Sequence, residues 1–197
     1  MLSSRLIERH VQRDAHRGLL RQLMDNDPSL PRPLEGALAR RPAAILALAL
    51  RRLLEVSYRP SPMAGELIDR LRDYQDLPGV RDDALTLASL AAAWRTVAHH
   101  PLVASAGAGR AREEALDRLV QLQAADGLLS SAEPATDEER ALVTACVLML
   151  LADDADFRAR PAWQAMTRAI EQRRTALPRQ LGRLCQAARP TGPAVAA

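Results

Sequence analysis

Three segments of this chain, residues 43–58, 83–98 and 138–152, consist largely of Ala and Leu. Wound as helices they are apolar around most of their circumference, and such a helix must be covered on most sides. Residues 4–24, 63–75, 110–123 and 162–176 carry the Arg, Asp and Glu and alternate with them. A charged helix, a turn and an apolar helix make an αα-hairpin. The alternation therefore predicts an all-α fold of stacked antiparallel helical hairpins, with an apolar inner layer and a charged outer layer. Such an array is solenoid-like or curls into a partial α/α-toroid. Aromatic residues amount to only 3%, which argues against a sheet, where Tyr, Phe and β-branched residues are wanted.

The hairpin reading has a second support. LIDRLRDYQDLPGV at 67–80 and ALDRLVQLQAADGL at 115–128 share D-R-L, a Gln four residues later and a Gly four further on. The turn after the second copy is longer, so a strict tetratricopeptide or ankyrin period does not fit.

Punctuation sets the expected boundaries. Ser3 or Ser4 caps a first helix reaching Met24, and DNDPSLPRP at 25–33 breaks the chain. A short helix over 34–40 precedes Pro42, which suits a first helical turn. Ser61 and Pro62 start the helix over 63–75, and Asp82 is the expected N-cap of the second apolar helix. His99, His100 and Pro101 end that helix, and a small-residue linker follows to Gly109. Thr136-Asp137-Glu138-Glu139 reads as a capping box. Pro161 and Pro178 start two last helices, ending near Ala176 and Ala188. One domain over 1–188 and a flexible tail over 189–197 are expected.

All 27 basic residues are Arg, so Schiff-base and P-loop chemistry, which need Lys, are excluded. Cys146 and Cys185 have no C-x-x-C partner, and two free thiols fit a cytoplasmic chain. No apolar run follows the charged start as a signal peptide would require, and the run 43–50 is too short to span a bilayer. There is no Gly-rich phosphate loop, no G-x-S-x-G and no His-rich metal pattern.

The remaining candidates for chemistry have plainer readings. Asp153, Asp154 and Asp156 follow an apolar helix; a cation site is one reading, a solvated turn neutralised by Arg158 and Arg160 the favoured one. His99 and His100 are adjacent and point in different directions, which suits a helix C-terminus better than chelation. His10 and Asp14 read as a surface pair, Cys146 as a core thiol, and Trp94 and Trp163 as packing anchors. No cofactor, metal or catalytic set is expected.

Two resemblances bear on this. RLVQLQAADGLLSS at 118–131, with the Ala/Leu helix after it, resembles a hairpin of the terpenoid-cyclase and prenyltransferase α/α-toroids. It covers roughly residues 43–176 and implies a toroid-like fragment. Asp153-Asp154-Ala155-Asp156 departs from the D-x-D-D acid motif of the cyclases, and no zinc-binding Asp, Cys and His set matches. The implied activity does not carry over. Ala125-Asp126-Gly127-Leu128-Leu129-Ser130-Ser131-Ala132-Glu133 is similar to a turn of the tellurite-resistance B family. That resemblance implies a metal-linked role for Asp126 and Glu133, and Pro134 departs from the family's continuation into helix.

The first helix carries the function expectation. Ile7, Val11, Ala15, Leu19 and Leu23 form an apolar stripe at a spacing of four. Arg5, Arg9, Arg13, Arg17 and Arg21 form a second stripe, two residues out of phase. Two residues are ~200° of helix, so the rows oppose each other, and both drift because four residues overshoot a turn. Residues 1–24 hold a net charge of +3, from five Arg against Glu8 and Asp14, and the remainder is neutral. Such a row fits an acidic protein surface. Nucleic acid ranks lower because the rest of the chain mixes both signs and has few aromatics for stacking. A membrane ranks lower because no Trp or Phe lies in the apolar stripe. The expected function is a non-catalytic adaptor or regulatory subunit; the alternative is a small-molecule binder or enzyme with a pocket in a partial toroid. The sequence sets no oligomeric state.

Overall fold

The computed structural model describes Ala15, residues 17–25, Leu30, residues 34–56, Arg59, and residues 61–103, 106–130 and 135–173. Among these residues the regular structure is all helical. A first helical stretch, α1, covers residues 17–25. It is followed by α2 (Leu34–Leu38), α3 (Pro42–Val56), α4 (Pro62–Gln75), α5 (Pro78–Arg81) and α6 (Ala84–His99). Then come α7 (Ala108–Gln121), α8 (Asp137–Leu150), α9 (Ala155–Arg158) and α10 (Pro161–Gln172).

Burial follows the composition. In α3 every residue from Ala43 to Leu50 is buried, and in α6 every residue from Ala84 to Trp94. The charged helices bury one stripe each. In α4 it is Ala64, Leu67, Ile68 and Leu71; in α10 it is Ala162, Trp163, Met166, Ala169 and Ile170. Those spacings of three and four define one face of a helix. Helix α6 packs against α3, α7 and α8; α4 packs on α3, and α10 on α8. Two apolar clusters result. Ile45, Leu48, Leu85 and Leu87 belong to one, with the buried side chains of α1, α8 and α10. Leu46, Leu50, Leu90 and Trp94 belong to the other, with those of α4.

Several local expectations need correction. Residues 78–81 wind into α5, so the N-cap of α6 is Asp83 and not Asp82. The Asp83 carboxylate accepts the Thr86 amide at 2.9 Å and Arg41 Nε at 2.8 Å. Asp82 instead receives Arg118 Nη2 at 2.7 Å. Ser61 is the N-cap residue of α4, but its hydroxyl caps nothing and is buried without a partner among the described residues. Helix α7 starts earlier than expected, after Gly107 at φ +92°. The segment 138–152 reads as apolar on most sides, yet its Val143 is only half-buried, at the edge of the core formed by its neighbours in α8.

The Thr136 capping box is present in both halves. Thr136 Oγ accepts the Glu139 amide at 3.2 Å, and the Glu139 carboxylate accepts the Thr136 amide at 2.9 Å. The amide and hydroxyl of Thr136, both donating to the carboxylate, hold the Glu139 carboxyl below its usual range. The expected helix over 178–188, the tail and the Ser3 or Ser4 cap lie outside the described residues.

Candidate functional site

On α1, Leu20, Leu23 and Met24 are buried, Leu19 is half-buried and Ala15 is exposed. The buried face therefore follows a three-and-four spacing, not the spacing-of-four stripe, which rotates off the core as it drifts. Arg17 and Arg21 are exposed, and neither makes an ion pair among the described residues. Arg5, Arg9 and Arg13 lie outside the described residues, as do His10 and Asp14.

The acidic run after α8 is built differently from the expectation. Asp154 is 1% exposed and Arg112, from α7, is 8% exposed. Arg112 grips Asp154 through two nitrogens, Nη2 to Oδ1 at 2.6 Å and Nε to Oδ2 at 3.0 Å. Asp154 Oδ1 also accepts the Phe157 amide at 3.0 Å and so caps α9. Burial alone would push the Asp154 carboxyl up; the bonds from Arg112 and Phe157 outweigh it and hold the carboxyl below its usual range. On Arg112 the bond to Asp154 raises the pKa against its own burial. The neutralising partner is thus Arg112, not Arg158 or Arg160. Arg160 instead bonds Glu113 at 2.5 Å and Asp117 at 2.7 Å, with its guanidinium over the Phe157 ring. Arg112 reaches Asp156 at 3.1 Å as well, and Asp153 stays exposed.

The turn at 122–130 is the other concentrated polar feature. Ala124 N donates to Leu128 O at 2.8 Å and Ser130 N to Leu122 O at 2.7 Å, a minimal hairpin. Gly127 sits at φ +83°, and a Cβ there would lie 2.8 Å from Ala165 O and 3.0 Å from Ala169 Cβ in α10. Gln123 Nε2 donates to Gly127 O at 3.2 Å and Ala162 O at 3.1 Å. Asp126 accepts Arg140 at 2.9 Å and Arg173 at 3.2 Å, and its carboxyl lies below the usual range. Desolvation opposes that shift; the Arg140 and Leu128 N–H bonds outweigh it. The carboxylate thus faces two guanidinium groups that tie the turn to α8 and α10. Glu133 lies outside the described residues.

The repeated Gln has a matching task in the first copy. Gln75 Oε1 accepts Trp94 Nε1 at 3.0 Å, so each copy's Gln bonds a later helix. His99 Nδ1–H donates to Arg95 O at 2.8 Å, and His100 Nδ1 accepts the Leu102 amide at 3.2 Å. Both rings therefore serve the end of α6. Cys146 is buried in α8, and Cys185 lies outside the described residues. Trp163 is buried and meets Phe157 edge-on, with centroids 6.0 Å apart. Among the described residues no three His, Cys, Asp or Glu side chains are grouped so as to hold a metal ion. A polar surface cleft of about 330 Å³ lies between the end of α4 and the start of α7, lined by Arg72, Gln75, Arg110 and Glu114.

The residues that sequence reading missed are Arg112, Arg41 and Arg118, which bind acids 36 to 42 positions away. An Arg amid the acids of α7 carries no local mark of burial; only its register with Ala108, Ala115 and Leu119 on the buried face does. No helix among the described residues is long and apolar enough to cross a membrane. Comparison with protein-family models, with curated proteins and with solved structures found no match.

Proposed function

We propose that this chain is a non-catalytic interaction protein, an adaptor or regulatory subunit, that docks an acidic protein surface through Arg5, Arg9, Arg13, Arg17 and Arg21 of its first helix. In this reading the hairpins stack into an inner layer of α3, α6 and α8 and an outer layer of α4, α7 and α10, a rigid support for that row. One observation carries the reading. Arg17 and Arg21 are exposed without an ion pair among the described residues. Arg41, Arg112, Arg118, Arg140, Arg160 and Arg173 are all taken up by acids of the chain itself. Residues 1–24 hold a net charge of +3, which this reading makes available to an outside partner. The burial of Leu20, Leu23 and Met24 supports a protein partner over a membrane, since an inserting helix needs that face free.

The test compares wild type with a variant carrying Arg5→Glu, Arg9→Glu, Arg13→Glu and Arg17→Glu in pull-downs from nuclease-treated lysate of the cells that make the protein. Circular dichroism first establishes that both fold alike. Wild type is expected to retain acidic proteins that elute as salt rises, and the variant to lose them. Recovery of the same proteins by both, with the same salt sensitivity, refutes the proposal.

A further inference from the structure

We draw no further inference here: the strongest candidate, the polar cleft between the end of α4 and the N-terminus of α7, carries nothing, because its Arg72 and Arg110 already face Asp69 and Glu114 and nothing in the structure points to what would fill it.

Discussion

Replacing the glycine of each repeated turn by alanine should give opposite results. At Gly127 the backbone is left-handed, at φ +83°, which costs an L-residue with a Cβ about 1–2 kcal/mol. The new Cβ would also stand 2.8 Å from the Ala165 carbonyl oxygen, a backbone atom of α10 that cannot rotate away. Moving that helix to make room adds about 1–3 kcal/mol, as overpacking does. Gly127→Ala should therefore destabilise by roughly 2–5 kcal/mol, a fall in melting temperature of about 4–20 °C for a chain of this size. Gly79 is the equivalent residue of the other copy, yet it lies inside α5 and a Cβ there meets nothing within 4 Å. Gly79→Ala should be neutral or stabilise by up to about 1 kcal/mol, because alanine loses less backbone entropy in a helix. Gly127→Asn tests the division of the cost: asparagine tolerates the left-handed backbone but still has a Cβ. It should recover only the smaller part. Thermal unfolding followed by circular dichroism measures all three. Equal melting temperatures for Gly127→Ala and Gly79→Ala would refute the reasoning, because the two sites would then share one environment.

Three further outcomes are expected. Leu90→Ala, at a fully buried position of α6, should cost about 2–5 kcal/mol in denaturant melts; an unchanged midpoint would overturn the burial of that helix. Asp154, with its lowered pKa, contributes stability that is present above the ordinary carboxylate range and is lost as pH falls through the folded value. Melting temperature should therefore drop in acid below roughly pH 4. Asp154→Asn should flatten that limb and cost about 3 kcal/mol at neutral pH, since Arg112 would keep only Glu113 and Asp156; an unaltered acid limb would count against the pair. Adding a chelator should leave the melting curve unchanged, and a lowered midpoint would revive a metal role for Asp126 or the acids at 153–156.

Local chemistry was the most legible part of this fold in the sequence. The Thr136 box, the prolines at 42, 62 and 161, and the Ala/Leu helices all act over one or two helical turns, the range over which side-chain spacing is informative. Where a tertiary contact decides the outcome, the sequence misleads. Asp82 and Asp83 are equally good caps by type; the winding of α5 and the approach of Arg41 choose Asp83. Asp154 is a solvated turn residue by pattern, and only the tertiary fold brings Arg112 of α7, 42 positions away, to it. The first helix is half legible for a similar reason. Its apolar stripe and Arg row drift together around the axis, so burial of Leu20 and Met24 depends on the angle at which the core meets it.

The two apolar clusters share α3 and α6, each helix giving one flank to either side. A wall common to two rooms cannot be taken down for one alone. If α4 and its side of the core separated, Leu46, Leu50, Leu90 and Trp94 would meet water on helices whose other flank still holds Ile45, Leu48, Leu85 and Leu87. Partial unfolding on that side exposes a large greasy face and gains little chain freedom, since α3 and α6 stay wound. The chain is thereby biased against half-open species, which are the sticky ones during synthesis and heat stress.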